Sequence, residues 1–197
     1  VPAPSLILAS TSRYRRELLG RLGLPFETAS PGVDEAPRAG EPPAELALRL
    51  AVEKAQTVAR HRPDALVIGA DQVAELDGIA LSKPGTHDRA VAQLRAMRGR
   101  RISFLTAVAV SRAATHETRS RLVPTEVDFR DFDDATIDAY LRADRPYDCA
   151  GAAKIESLGI VLVHRLVGDD PTALIGLPLI ALVELLAEFG VPVLRSV

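Results

Sequence analysis

The chain is poor in the residues that carry redox, thiol and metal chemistry. Among 197 residues there is one cysteine, Cys149, and no tryptophan. A lone cysteine forms no internal disulfide, which points to a reducing, cytoplasmic setting. In "YDCAGA" it sits among small residues with no His or Arg beside it in sequence, the surroundings of a buried structural thiol rather than a nucleophile. The four histidines, His61, His87, His116 and His164, are scattered and form no zinc spacing. No long hydrophobic run exists either. The longest, "ALIGLPLIALV", is interrupted by Gly and Pro, is bounded by Asp169, Asp170 and Glu184, and falls short of the roughly 20 residues a membrane span needs. The segment "VPAPS" has neither the basic nor the apolar region of a signal peptide, so no membrane association is expected. Net charge is close to balance at −2, so no global field draws the chain to a nucleic-acid polymer, and any phosphate binding must be local. Walker A spacing and the GxGxxG fingerprint are both absent, which excludes a P-loop enzyme and a dinucleotide dehydrogenase.

What is present is an ordinary globular make-up, 47% hydrophobic and 25% charged, long enough for one good core, and the chain reads as one domain over 1–197. "LILASTSRYRREL" begins with an apolar strand-length run and breaks at Ser10, Thr11 and Ser12, the residue types that cap helices. A strand therefore hands over to a helix spanning about Arg13 to Leu22. Its start gathers backbone N–H groups, hydroxyls and the guanidinium groups of Arg13, Arg15 and Arg16. That is what an anion wants, and it is equally a capped helix with a solvated basic face. "LPFETAS" reads as a strand, and "PGVDEAPRAGEPP" as a loop carrying Asp34 and Glu35.

In "AELALRLAVEKAQTVAR" the apolar residues recur at helical spacing, and Lys54 lies close to that stripe, either snorkelling to water or pointing into a cleft. The run Ala65 to Ala70 reads as a strand buried on both faces that ends at Asp71, where an open α/β sheet places its ligands. An Asp77-Gly78 turn then returns "LSKPGT" beside it, bringing Lys83 near Asp71. A helix follows Thr86, two long strands meet around Ala113 to His116, "DDATIDAYLRA" is helical, "IVLVHRLVG" reads as a strand, and a loop with a closing helix completes the chain. The class is α/β with a mixed sheet. Carboxylates and cations at element ends, with no catalytic His or Cys, suit phosphoryl chemistry: acids to hold a hard divalent ion, cations to bind phosphate.

"LILASTSRYRRELL", "VDE", "EKA", "GADQV", "SKPGT", "YDCAGAAKIESLG" and "DPTALIGLPL" follow one another in an order that resembles the Maf family of nucleoside triphosphate pyrophosphatases, over nearly the whole chain. "DQ" after the strand and "CAGAAKIESLGI" resemble the family's 7-methyl-GTP branch rather than its dTTP/UTP branch. The resemblance implies an elongated, ITPase-like fold whose twisted sheet carries two lobes flanking a cleft, a homodimer, and a nucleoside triphosphate cut between its α and β phosphates with Mg²⁺ or Mn²⁺. It implies Asp71 as proton acceptor, and Tyr14, Gln72 and Glu156 as residues that tune the base. Asp71 and Glu35 are then the candidate metal ligands, Lys54 and Lys83 the catalytic cations, and Ser10, Ser12, Arg13 and Arg15 candidate phosphate contacts. The rival readings are a dTTP or UTP pyrophosphatase of the same family, or a nucleotide-binding regulator of septum formation without turnover. Two positions depart from the family's usual pattern: Arg13 stands where Pro is common, and Ser82 where Gly is common before Lys83.

Overall fold

Strand β1 (Leu6–Ala9) is buried along its whole length and passes directly into α1 (Arg13–Gly20). Ser12 caps that helix by accepting from the Arg15 N–H, and Arg21 and Leu22 close a turn beyond it, so the helix is shorter than its spelling suggested. These are features of a computed structural model that describes residues 4–194; the first three residues of "VPAPS" lie outside them. β2 (Phe26–Ala29) follows, then α2 (Pro43–Ala59), β3 (Leu66–Leu76) and β4 (Ile79–Leu81). Asp77 and Gly78 both take positive φ, the geometry a two-residue hairpin between β3 and β4 requires. α3 (His87–Met97) is capped by Thr86 and α4 (Asp134–Asp144) by Asp133, on either side of the long strands β5 (Arg101–Arg112) and β6 (Glu117–Phe129). β7 (Val163–Val167) and α5 (Leu179–Glu188) end the chain.

Seven strands form one mixed sheet in the order β2-β1-β3-β5-β6-β7, with β4 paired to β3. β1 runs parallel to β2 and β3, and every other pairing is antiparallel. Alternation along β1 and β3 sends Ile7, Ala9 and Val67 to the face covered by α2, and Leu6, Leu8, Leu66 and Ile68 to the face covered by α1 and α5. A third cluster, built on Leu94, Met97, Phe104, Ile137 and Leu141, packs α3 and α4 against the other end of the sheet.

Two expectations change. "IVLVHRLVG" is not one strand: Leu158–Leu162 is a 3-10 turn and only Val163–Val167 pairs with β6, whose register shifts at Asp128/Phe129. Asp71 does not end its strand. β3 continues to Leu76, paired with β5 on one side from Val67 to Glu75. On the other side β1 pairs only as far as Ile68 and β4 begins only at Ala74. From Gly69 to Val73 that side has no strand, and Asp71 and Gln72 occupy the gap.

α2 crosses β3 at this gap because residue 69 is glycine. A Cβ there would collide with the Ala51 carbonyl oxygen and stand 2.7 Å from the Ala55 nitrogen. Only a bare Cα lets the helix approach so closely. That approach carries Lys54 to Asp71.

Candidate active site

The gap in β3 opens into a cleft of about 1110 Å³. Every residue given a site role by the resemblance lines it, though Arg16 does not: Ser10, Ser12, Arg13, Tyr14 and Arg15 from the β1–α1 junction, Glu35 from the loop before α2, Lys54 from α2, Asp71 and Gln72 from β3, Lys83 after β4, and Glu156 from the turn before β7.

At its centre the buried Lys54 ammonium lies 2.6 Å from Asp71 Oδ1 and 2.6 Å from Glu35 Oε1. Of the two positions open to Lys54, the cleft is therefore the one it takes. Lys83 reaches Glu35 Oε2 at 3.6 Å and remains exposed; its ion-pair partner is Glu35 rather than Asp71. Burial pushes the Glu35 carboxyl up, but the hydrogen bond and charge of Lys54, with Lys83 and Arg15 beyond, outweigh it and hold the carboxyl below its ordinary range. Desolvation lowers the Arg15 guanidinium, opposed by Asp71 and Glu35, yet an arginine stays cationic near neutrality.

The hydroxyls of the β1–α1 junction serve the helix start without being used up. Ser12 Oγ accepts from the Arg15 N–H at 3.4 Å and Ser10 Oγ accepts from the Ser12 N–H at 3.1 Å, which leaves each hydroxyl hydrogen for a ligand. The stretch is thus a capped helix that also forms a wall of the cleft.

Gln72 is fixed from behind. Its Nε2 lies 2.9 Å from Thr106 Oγ1, 3.1 Å from the Ala173 carbonyl oxygen and 2.9 Å from the Leu174 carbonyl oxygen, while Thr106 itself donates to Ala173. Two carbonyls and a hydroxyl whose proton is already committed can only accept, so the amide nitrogen must face them and Oε1 is what Gln72 offers the cleft. Arg15 is tied to the same loop, its Nε donating to the Gly176 carbonyl oxygen at 2.8 Å. Asp170, buried, knots that loop by accepting from Thr172 N–H, Thr172 O–H and Ile180 N–H.

On the opposite wall, Glu156 has its carboxyl raised, chiefly by desolvation, with its own backbone N–H and Lys154 opposing and Asp144 and Asp148 assisting. Lys154, which sequence reasoning passed over, lines the cleft and pairs with Asp148 at 3.2 Å. Its signal was present: it is the one lysine inside "CAGAAKIESLG". Thr106 was also missed, because a hydroxyl in a strand looks ordinary until the elements meet, whereas Asp170 stands in the quoted motif "DPTALIGLPL" without a role assigned to it. Cys149, expected to be a buried structural thiol, is instead half-buried and lines the cleft, and desolvation with the neighbouring Asp148 carboxylate pushes its thiol up to about 12.

The sequence profile of the family described as "Maf-like protein" matches residues 5–189. The chain belongs to the Maf family. It is 56% identical over 191 residues to the 7-methyl-GTP pyrophosphatase of Methylobacillus flagellatus, covering 97% of this chain and 100% of the relative. It is 57% identical over 191 residues to the protein of the same name from Albidiferax ferrireducens, covering 97% and 96%. The Bordetella pertussis relative, also so named, is 57% identical over 187 residues, covering 95% and 93%. Among solved structures, a HAM1 protein from Coxiella burnetii is similar with a TM-score of 0.48 at 16% identity, covering 66% of this chain and 75% of that one. Among the described residues no helix is long and apolar enough to cross a membrane.

A divalent ion fits this Maf cleft. Asp71 and Glu35 are hard oxygen donors that already converge on one cation, the Lys54 ammonium. Among the described residues no third His, Cys, Asp or Glu joins them. Mg²⁺ suits such a site, since it takes one or two carboxylates and completes its shell from water and substrate phosphates.

Proposed function

We propose that this Maf protein hydrolyses 7-methyl-GTP between its α and β phosphates, releasing 7-methyl-GMP and pyrophosphate. The observation that carries the proposal is the carboxylate pair Asp71 and Glu35, held by Lys54 in the strand gap of a cleft that also presents acceptors to a base. Support comes as well from relatives of that name at 54–57% identity over nearly the whole chain.

In this reading Asp71 accepts a proton from the water that attacks the α phosphorus, and pyrophosphate leaves as the Pα–O bond to it breaks. Arg15, Lys54, Lys83, the hydroxyls of Ser10 and Ser12 and the N-terminus of α1 bind the phosphate oxygens, with Arg13 as a further candidate contact, and offset charge that grows in the transition state. Asp71 and Glu35 would hold Mg²⁺ or Mn²⁺, which supplies further neutralisation of the phosphates.

Base choice follows from acceptors. Gln72 Oε1 and the Glu156 carboxylate match the N1–H and N2–H₂ donor edge of guanine, whereas uracil and thymine offer one N–H between two carbonyls. The Tyr14 ring supplies a face on which a cationic N7-methylated purine gains cation–π attraction. The exposed apolar residues Leu158, Ile160, Val161, Leu166 and Val167, gathered on and before the edge strand β7, support a homodimer, which light scattering would measure.

The test is pyrophosphate release by the purified protein with Mg²⁺ or Mn²⁺ on 7-methyl-GTP, GTP, dTTP, UTP and CTP in parallel. Preference for 7-methyl-GTP is expected. Preference for dTTP or UTP removes the base assignment, and release from none of them favours a nucleotide-binding regulator.

A further inference from the structure

We propose that Arg13 is a specificity-determining residue that works against the positive charge of an N7-methylated base, so that its presence narrows the margin by which methylated guanine is preferred to unmethylated guanine. The inference rests on the guanine-nucleotide reading above. The guanidinium carbon of Arg13 stands 4.7 Å from the centroid of the Tyr14 ring, and Arg13 Nη2 donates to the Tyr14 hydroxyl at 3.0 Å. Both side chains line the cleft. Tyr14 thus already has a cation on one face.

Arg13 forms no ion pair among the described residues, and Glu17 and Asp148 act on it only at longer range. Its charge therefore has no ion-pair partner next to the ring. A base arriving at Tyr14 has two placements. Taken on the face Arg13 covers, it must evict the guanidinium, which stays tethered one residue away. Taken on the opposite face, it stacks with the guanidinium across the ring, within about one Debye length of ~8 Å at physiological ionic strength. Either way the eviction or stacking is met by any base, but the like-charge repulsion is met only by the cationic one. Removing the charge of Arg13 therefore favours the methylated base selectively, and this sign is the same for both placements.

The test measures binding of the two product nucleotides, 7-methyl-GMP and GMP, by calorimetry below the pKa of the methylated base's N1–H, where that base is a cation. Wild type, Arg13→Gln and Arg13→Lys are compared. The ratio of the GMP Kd to the 7-methyl-GMP Kd is expected to rise about threefold in Arg13→Gln and to stay within about twofold of wild type in Arg13→Lys. A phosphate contact by Arg13 weakens both nucleotides together and leaves the ratio still. An unmoved ratio in Arg13→Gln overturns the proposal, and so does an equal rise in Arg13→Lys, which would exclude charge as the cause. Pyrophosphate release from 7-methyl-GTP by the wild type separates the two levels. Its absence overturns the parent reading and this inference with it, while release with an unmoved ratio overturns this inference alone.

Discussion

Lys54 Nζ and Asp71 Oδ1 meet at 2.6 Å, 17 residues apart in sequence, one on α2 and the other in the stretch of β3 that is paired on one side only, with β5. The ammonium ties the Asp71 side chain into the lining of the cleft while sharing itself with Glu35. If Asp71 is the proton acceptor, Asp71→Asn keeps the shape and loses the base. Pyrophosphate release should fall by about 10²–10⁴-fold with the circular dichroism spectrum retained. Turnover close to wild type in a folded variant would remove Asp71 from that role.

Closeness of α2 to β3 depends on Gly69, whose missing Cβ leaves room for the Ala51 carbonyl and the backbone of Ala55. Those neighbours are helix backbone and cannot swing aside. Gly69→Ala should destabilise the protein by about 3 kcal/mol in urea titration. It should also weaken catalysis more than stability alone explains, because Lys54 is displaced with the helix. A variant with unchanged midpoint and activity would show that the helix tolerates a shift.

The loop knotted by Asp170 reaches the cleft twice, through Gly176 to Arg15 and through Ala173 and Leu174 to Gln72. Asp170→Ala removes three short hydrogen bonds from a buried carboxylate. A stability loss of about 2–4 kcal/mol is expected. In the surviving folded fraction KM should rise, since Arg15 and Gln72 lose their anchor together. Thr106→Val, which removes the cross-strand partner of Gln72 together with the Thr106 hydrogen bond to the Ala173 carbonyl, should raise KM with a smaller change in the unfolding midpoint.

Glu156 gives a pH signature. Its carboxyl is raised above the ordinary 4.5, so on acidification it takes up a proton sooner than a solvated glutamate does. If its carboxylate accepts from the guanine edge, kcat/KM should decline as pH falls through that raised value and recover above it. Glu156→Gln should lower kcat/KM at neutral pH and abolish that inflection. An acid limb that persists unchanged in Glu156→Gln would assign it to another group.

Local chemistry was legible in the residues themselves. Ser12, Thr86 and Asp133 cap helices because a short polar side chain beside a free N–H needs nothing distant. The Asp77-Gly78 turn and the apolar stripe of α2 are equally local. The order of motifs placed the chain in the Maf family, and every candidate residue drawn from them faces one cleft.

What only the tertiary structure decided are the meetings. The spelling "VIGADQ" reads as a strand ending at an acid, but Asp71 lies in mid-strand, because the gap beside it is made by where β1 stops and β4 starts. "IVLVHRLVG" reads as continuous β, but β6 ends at Phe129, opposite Val163, so the residues before Val163 have no β6 residue to pair with. Gln72 turns its carbonyl to the cleft because Ala173 and Leu174 wait behind it, 101 and 102 residues away. Propensity and capping act through a residue's near neighbours, so sequence carries them. Which side chains share a cation or a carbonyl depends on how whole elements pack, and that is settled only when the sheet, α2 and the closing loop come together.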